Sequence, residues 1–226
     1  MAKALSILII ENHPLIANAF KSAFKQVHTN NKNLKFNIDF AVDCDSSVLK
    51  ITTAAKKNKD IALIFLDIKL PPSKDKKFLN GEDLGILIRK LLPNTKIIVA
   101  TTFNDNYRMY SIFQSISPEG FLVKDDISSD ELIAAIETVL DGNSYFSKTV
   151  SGLLRKNISH NYIVDDVDRR LLYEISIGTK QNQLPEIFGI SNSNIENRKR
   201  NLKNIFNVDS SDNSVLLAIA REKGFL

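Results

Sequence analysis

Short, almost wholly apolar runs recur along the first 140 residues, and each is followed by a segment with helical periodicity. The run 61–66 contains six apolar residues and predicts a strand buried on both faces, as in a parallel sheet. Further strands are predicted at 6–10, 36–41, 96–100 and 120–123. Helices are predicted at 15–27, 46–57, 81–92, 105–115 and 128–140. Five strands that alternate with five helices predict a doubly wound α/β domain, (βα)5, with a five-stranded parallel sheet.

The pattern after residue 142 predicts a second, all-α part. Residues 143–162 lack the apolar periodicity of a core, so we expect a linker with a short helix at 149–155. Helices follow at 171–177, 182–188, 193–206 and 215–221. A short helix, a turn at Gly189 and a longer helix are typical of a helix-turn-helix. The predicted domains are therefore 1–142 and a small four-helix domain at 163–226, joined by the linker.

Composition narrows the class of protein. The chain has 226 residues, 43% of them hydrophobic, which suits one large or two small domains. Its net charge of +4 is too small to indicate a nucleic-acid partner by itself. We identify no signal peptide and no apolar run near the ~18 residues of a membrane span. The single cysteine, Cys44, excludes an internal disulfide, and its aspartate neighbours should raise the pKa of the thiol. We therefore expect a cytosolic (cytoplasmic) protein with no membrane partner.

Polar side chains follow the predicted strands at the point where each strand ends: Glu11 and Asn12, Asp67, Thr101 and Thr102, and Lys124. Because crossovers in parallel sheets are right-handed, these strand ends point the same way, and ligands bind at that edge. Carboxylate and amide oxygens suit Mg2+, whereas a hydroxyl and an ammonium group suit an anionic phosphoryl group. The pattern therefore predicts a site that places a phosphoryl group on Asp67. A simple loop cap at Asp67 is the alternative.

Four motifs, in their order and spacing, resemble the receiver domain of two-component response regulators. They are IIENHP at 9–14, LDIKLP at 66–71, IVATT at 98–102 and GFLVKD at 120–125. The resemblance implies that Asp67 is the phosphoacceptor. It also implies a Mg2+ site made by Glu11, Asn12, Asp67 and the backbone carbonyl of Lys69. The residues that would contact the phosphoryl group or switch with it are Thr101, Thr102, Lys124 and the aromatic Phe121.

Two departures from the receiver pattern lie in these motifs. The family usually has a second acid where this chain has Asn12, so we expect weaker Mg2+ binding. The family's glycine after the phosphoacceptor corresponds to Gly81, which comes late because of a lysine-rich insertion. The whole loop 69–80 carries four lysines: Lys69, Lys74, Lys76 and Lys77. We interpret His13 as a loop residue and not as a catalytic base. A regulator, not an enzyme, is therefore expected.

The second half, from Gly178 through Gly189 to Gly224, resembles the LuxR-type DNA-binding domain. With the receiver, the chain resembles a NarL/FixJ-type response regulator over nearly its whole length. On a helical wheel, the predicted helix 193–206 has an apolar face and an opposite polar face. The residues expected to contact DNA are Ser193, Asn197, Arg198, Arg200, Asn201, Lys203 and Asn204. A merely solvated helical face is the alternative, because residues 161–226 carry 9 basic and 9 acidic side chains.

Several residues depart from the LuxR-type pattern. Pro185 removes a backbone donor unless it lies in the first turn of the short helix. Lys180 replaces a small hydroxyl cap, and Glu196 would place an acid near DNA phosphates. Lys199 lies on the apolar stripe, so only its ammonium group can reach solvent. These departures make DNA binding a weaker expectation than phosphorylation.

The most specific hypothesis is a transcriptional response regulator. A sensor histidine kinase would phosphorylate Asp67, and the activated protein would dimerise and bind double-stranded DNA. One alternative is an adaptor that acts by protein–protein interaction, and another is a regulator that works without phosphorylation. A hydrolase of the haloacid type is disfavoured, because Lys69 stands where such enzymes usually have a second acid.

Overall fold

The computed structural model describes residues 3–103, 105–156, 164–210 and 212–226. The chain divides into two compact units. Unit 1 comprises Met1–Thr102 and Ser115–Lys156, and unit 2 comprises Phe103–Gln114 and Asn157–Leu226. Residues 157–162 of the predicted linker lie outside the described residues. The domain limits expected from the sequence remain predictions.

Unit 1 is built on a parallel sheet with strand order β2-β1-β3-β4-β5-β6. The strands are β1 (Lys3–Ile10), β2 (Leu34–Ala41), β3 (Leu63–Asp67), β4 (Lys96–Thr101), β5 (Gly120–Val123) and β6 (Tyr145–Phe146). The helices along this part of the chain are α1 (Pro14–Asn30), α2 (Cys44–Lys56), α3 (Gly81–Leu91), α4 (Asn106–Ile116), α5 (Ser129–Leu140) and α6 (Lys148–Lys156). All but the last two residues of α4 belong to unit 2. The predicted doubly wound α/β fold is confirmed.

The sixth strand corrects the prediction of a five-stranded sheet. β6 pairs in parallel with β5, and Phe146 lies opposite Phe121. The backbone N–H groups of Tyr145 and Ser147 donate to the carbonyls of Glu119 and Phe121, each at 3.0 Å. Two residues are too few to show the alternation of a strand, so the pattern indicated only a linker here. The first part of the predicted linker therefore belongs to the sheet.

The register of the sheet aligns the strand ends that carry the predicted site. Asp67 of β3 lies opposite Ala100 of β4, and Thr101 lies opposite Val123 of β5. Every residue of β3 and β5 is buried, as expected for strands covered by helices on both faces. The Phe65 ring stacks on Phe20 of α1 with the ring centroids 4.5 Å apart. Packing of this kind holds the strand ends in place.

Unit 2 contains α7 (Asp166–Ser176), α8 (Leu184–Phe188), α9 (Asn192–Ile205) and α10 (Asn213–Glu222). Their core includes Leu171, Leu184, Ile195, Leu202, Leu216 and Phe225. α7 begins earlier than predicted, because Asp165 and Asp168 form a capping box that continues the helix toward the N terminus. Pro185 lies in the first turn of α8, so it removes no helical hydrogen bond. Gly189 ends α8 with a left-handed φ of 64°.

Unit 2 also includes the segment Phe103–Gln114. The Ser111 hydroxyl of α4 donates to the carbonyl of Val164 at 3.0 Å, and both residues are buried. Lys223 pairs with Asp105 at 2.9 Å, and the guanidinium carbon of buried Arg108 lies 5.0 Å from the centre of the Phe225 ring. Among the helices described, none has the length and apolar character needed to cross a membrane.

Candidate functional site

The site is built from side chains at the carboxyl ends of neighbouring strands. Glu11 follows β1, Asp67 ends β3 and Thr101 ends β4. Each of the three side chains belongs to a buried residue, with 2%, 1% and 0% of its surface exposed. Burial of two carboxylates next to each other is costly unless a cation accompanies them. The site therefore has the composition of a charge-binding site and not of a packing core.

Lys124, the residue after β5, supplies that cation. Its Nζ lies 2.7 Å from Oε2 of Glu11 and 2.8 Å from Oδ2 of Asp67. Only 8% of the lysine side chain is exposed. One ammonium group between two carboxylates leaves one negative charge uncompensated. The structure thus brings together three of the predicted site residues, and their summed charge favours a further cation.

His13 is a neighbour that the sequence interpretation did not include in the site. Its backbone N–H donates to Oε1 of Glu11 at 3.0 Å, and its ring Nδ1 lies 3.3 Å from the same oxygen. The ligand atoms of Glu11, His13 and Asp67 all lie within 4.8 Å of one another. His13 also precedes α1 as its N-cap residue, which agrees with its interpretation as a loop residue. Its position two residues after Glu11 was the signal in the sequence that could have placed it here.

The donor atoms fit a hard divalent cation. Carboxylate oxygens of Glu11 and Asp67 meet here, and oxygen ligands are those that Mg2+ prefers. In the part of the chain that the structure describes, the Oδ1 atom of Asn12 is buried and has no hydrogen-bond partner. Such an atom is expected to take a cation or water as its partner. An amide in place of a carboxylate lowers the negative charge around the ion.

The loop after β3 shapes the site next to Asp67. The N–H of Lys69 donates to Oδ1 of Asp67 at 3.0 Å, which holds the carboxylate in one orientation. A side chain at Gly81 would place its Cβ 1.9 Å from the backbone oxygen of Asp67, so only glycine fits at the start of α3. Gly81, the residue expected to correspond to the family's glycine, is therefore required here because a larger residue would clash with the backbone of Asp67.

The lysine-rich insertion within this loop is held by hydrogen bonds. The buried Ser73 hydroxyl donates to Asp75 at 2.7 Å and accepts from the N–H of Phe78 at 3.1 Å. The N–H of Lys74 donates to the Asp45 carboxylate of α2 at 3.2 Å. The four lysines are exposed: Lys69, Lys74, Lys76 and Lys77. The loop that follows Asp67 thus presents positive charge to solvent.

The remaining predicted residues of unit 1 occupy the same edge of the sheet or the strand beneath it. Thr101 is fully buried, and Thr102 beside it is exposed. Phe121 is 1% exposed, and it precedes Lys124 by three residues. These positions are consistent with a hydroxyl near the site and an aromatic ring packed inward.

In unit 2, α9 carries the residues predicted to contact DNA. Ser191 caps its N terminus, because its hydroxyl accepts from the N–H of Asn194 at 3.3 Å. The exposed members of the predicted set are Ser193, Asn197, Arg200 and Asn204, and the half-buried members are Arg198, Asn201 and Lys203. Arg200 donates from Nη2 to Oδ1 of Asn197 at 2.8 Å, so these two side chains are held together on the exposed face.

Arg198 differs from the other predicted DNA-contacting residues. Its Nη1 pairs with Asp165 at 2.9 Å and with the fully buried Asp168 at 2.8 Å. Burial opposes its charge, but the hydrogen bonds and charges of Asp168 and Asp165 outweigh burial and raise the pKa of Arg198. Its guanidinium group therefore joins α9 to the N terminus of α7. Helical periodicity alone could not show this, because the partners lie on another helix.

Glu196 and Lys199 form a second pair on α9. Nζ of Lys199 lies 3.1 Å from Oε1 of Glu196 and donates to Oε1 of Gln181 at 3.1 Å. Only 12% of the lysine side chain is exposed, as expected for a stem that runs along the apolar stripe. The ion pair offsets part of the negative charge that Glu196 would bring to a nucleic acid.

Comparisons with known proteins agree with this architecture. No family model matches the chain. The transcriptional regulatory protein MctR of Rhizobium johnstonii is 24% identical over 203 residues, which cover 88% of this chain and 86% of that protein. The oxygen regulatory protein NreC of Staphylococcus epidermidis is 20% identical over 163 residues, which cover 72% of this chain and 67% of that protein.

Solved structures show the same fold. One is RcsB from Salmonella enterica serovar Typhimurium, bound to the promoter P1flhDC in the presence of the phosphomimetic BeF3-. It matches with a TM-score of 0.60 at 19% sequence identity, and the match covers 95% of this chain and 97% of that chain. Another structure of the RcsB response regulator, from Salmonella typhimurium, matches with a TM-score of 0.57 at 18% sequence identity. That match covers 96% of this chain and 99% of that chain. The likeness to these RcsB structures shows the fold of this chain, which is a parallel α/β domain and a smaller helical domain. The resemblance predicted from the motifs is confirmed.

Proposed function

We propose that this protein is a DNA-binding transcriptional response regulator that is switched by phosphorylation of Asp67. The observation that carries the proposal is the buried pair of Glu11 and Asp67 around the ammonium group of Lys124 at the edge of the sheet. The relatives support it, since MctR is named a transcriptional regulatory protein and an RcsB structure contains promoter DNA. The partners are then a sensor histidine kinase, double-stranded DNA and a second copy of the chain.

Phosphoryl transfer follows from the position of Asp67. A carboxylate oxygen of Asp67 attacks the phosphorus atom of a phosphohistidine on the kinase. A P–O bond forms, the P–N bond breaks, and the imidazole leaves. Lys124 stays within reach of the transferred group and neutralises part of its charge. A Mg2+ ion would be held by Glu11, Asn12, Asp67 and the carbonyl of Lys69, and when bound it supplies further charge neutralisation.

The switch uses residues at neighbouring strand ends. Thr101 is the hydroxyl expected to contact a phosphoryl group on Asp67, with Thr102 beside it. Movement of Thr101 would change the packing around Phe121, the aromatic residue of the adjacent strand. A two-state rearrangement of this kind changes the surface of a receiver and favours dimerisation.

DNA contact is assigned to the exposed face of α9. Asn197 and Arg200 carry groups that match adenine and guanine edges in a major groove. Ser193 and Asn204 lie on the same exposed face, and Asn201 and Lys203 flank it. Arg198 is left out of the set, because its charge is already paired with Asp165 and Asp168.

The test of the phosphoacceptor is a mass measurement. The full chain incubated with acetyl phosphate and Mg2+ should gain the mass of one phosphoryl group, and Asp67→Asn should abolish the gain. Asp125→Asn is the matched control, because Asp125 is an exposed aspartate next to Lys124 and should leave the modification unchanged. Equal modification of Asp67→Asn and the parent would show that Asp67 is not the acceptor.

A further inference from the structure

The carboxylate of Asp126 holds the beginning of α6. Its Oδ2 accepts hydrogen bonds from the N–H of Thr149 and the hydroxyl of Ser147, both at 2.9 Å. Its Oδ1 accepts from the hydroxyl of Thr149, also at 2.9 Å. Burial opposes ionisation of this carboxyl group, but the hydrogen bonds from Thr149 and Ser147 outweigh burial and lower the pKa of Asp126. We call Asp126, Ser147 and Thr149 the Asp126 cluster.

Ser147 connects the Asp126 cluster to β5. This residue is 3% exposed, and its N–H donates to the carbonyl of Phe121 at 3.0 Å. Its hydroxyl oxygen accepts from the N–H of Val123 at 3.2 Å. The cluster is therefore attached to the strand that carries the predicted switch aromatic and ends immediately before Lys124.

Asp126 also shares a turn with Lys124. Residues Lys124–Asp126 form a single 3-10 turn, and the N–H of Ile127 donates to the carbonyl of Lys124 at 3.3 Å. The first residue of the turn places its ammonium group between Glu11 and Asp67. The last residue caps α6. Because Lys124 and Asp126 are two residues apart in one hydrogen-bonded turn, a displacement of the backbone at Lys124 also displaces Asp126.

We propose that Asp126 is a positioning residue that makes the start of α6 respond to phosphorylation of Asp67. This inference rests on the proposed function and extends it to a route of transmission. A phosphoryl group adds negative charge at Asp67 and draws the ammonium group of Lys124 away from its position between Glu11 and Asp67. The turn that carries Asp126 shifts with it.

The shift changes the hydrogen bonds of the Asp126 cluster. Hydrogen bonds weaken steeply when their distance or angle departs from the ideal. The three bonds to Asp126 are all well formed, so displacement of the turn loosens them. The first turn of α6 then loses its cap, and it opens more often. α6 ends at Lys156, which is also the last residue of unit 1. The loosening therefore affects the helix that leads out of unit 1.

Hydrogen–deuterium exchange on the full chain tests this coupling. Exchange at 148–152 is measured before and after treatment with acetyl phosphate and Mg2+, and the intact mass reports phosphorylation of Asp67. Exchange in the first turn of α6 should rise roughly 3- to 30-fold on phosphorylation, as expected for the loss of a helix cap. In Asp126→Ala, which removes all three bonds, exchange should be raised before treatment and should show no further rise, although Asp67 is still phosphorylated.

Two further variants separate coupling from a merely structural cap. Asp125→Asn removes the same charge from an exposed neighbour and should keep the response of the parent. Thr149→Val removes one of the three bonds and keeps the N–H donor, so it should give an intermediate response even if Asp126→Ala fails to fold.

The outcomes are distinct. If Asp67 is phosphorylated but exchange in α6 of the parent does not change, the inference is overturned and the proposed function stands. A response in Asp126→Ala or Thr149→Val equal to that of the parent also overturns the inference. Absence of any mass gain on the parent chain would overturn the proposed function, and the inference with it.

Discussion

At Asn12 this chain has an amide at a position where the receiver motif usually has an acid. The two carboxylates of Glu11 and Asp67 already share the single ammonium group of Lys124. A third carboxylate would repel both of them when no metal is bound. The amide therefore lowers the electrostatic cost of the metal-free site, and it also lowers the attraction for a divalent cation.

Asn12→Asp should bind Mg2+ more tightly than the parent. An added charge a few ångströms from a divalent ion should tighten binding by about tenfold or more, since even a partly screened pair is worth more than ~1.4 kcal/mol. A Mg2+ titration of both proteins measures the effect. Asn33→Asp is the control. Asn33 immediately precedes β2, at the edge of the sheet opposite to the carboxyl ends of the strands, so this change should leave the Mg2+ affinity unchanged. No gain in Asn12→Asp would mean that residue 12 does not face the metal.

At the scale of elements, α9 uses two neighbouring arginines in opposite ways. Arg198 pairs with the buried Asp168, whereas Arg200 is exposed and bonds Asn197 on the same helix. The first arginine contributes to the stability of unit 2, and the second is available to a ligand of the exposed face. A comparison of the two separates the folding role of α9 from its proposed DNA-binding role.

Arg200→Ala should weaken binding to a selected DNA site by ~1–3 kcal/mol, as expected for a lost contact to guanine, without lowering stability. Arg198→Ala should lower the free energy of unfolding by ~1–3 kcal/mol, because the buried carboxylate of Asp168 loses this ion pair. Anisotropy titrations and urea unfolding measure the two effects. If Arg200→Ala does not alter DNA binding and site selection recovers no sequence, the adaptor alternative replaces DNA binding.

At the scale of the whole molecule, unit 2 is assembled from two distant parts of the chain. The segment Phe103–Gln114 begins two residues after Thr101 and is grouped with α7–α10. Ser111, Arg108 and Asp105 of this segment contact residues of the C-terminal part. The strand end that carries the predicted switch hydroxyl thus leads directly into unit 2.

Ser111→Ala should destabilise unit 2 by about 1 kcal/mol, because the buried carbonyl of Val164 loses the hydroxyl that donates to it. The loss should appear as faster hydrogen exchange in α7–α10, although residue 111 lies far from them in sequence. Ser22→Ala, on the exposed surface of α1, is the control and should have no such effect. Faster exchange confined to the sheet would contradict the assignment of this segment to unit 2.

The apolar pattern along the chain was enough to predict a parallel sheet and the polar residues at the carboxyl ends of its strands. Buried strands are recognisable because they are apolar along their whole length, and right-handed crossovers bring their polar ends to one side. For that reason the order of strands and polar residues along the chain was enough to place Glu11, Asp67 and Lys124 together. The fold class followed from the same signals, whereas the resemblance to response regulators rests on the four motifs at the strand ends.

The partners of individual side chains could be identified only from the packed structure. The rise in the pKa of Cys44 was expected from its neighbours, but its largest cause is burial, and Asp83 from α3 contributes as well; together they raise the pKa to about 12. β6 is defined by its pairing with β5, because two residues carry no periodicity of their own.

The contacts of Asp126 with Thr149 and of Arg198 with Asp168 join residues far apart in the chain. Periodicity reports the average burial of an element. The partner of a long polar side chain depends on which groups lie within hydrogen-bonding distance, and that is set only when the helices and strands have packed together.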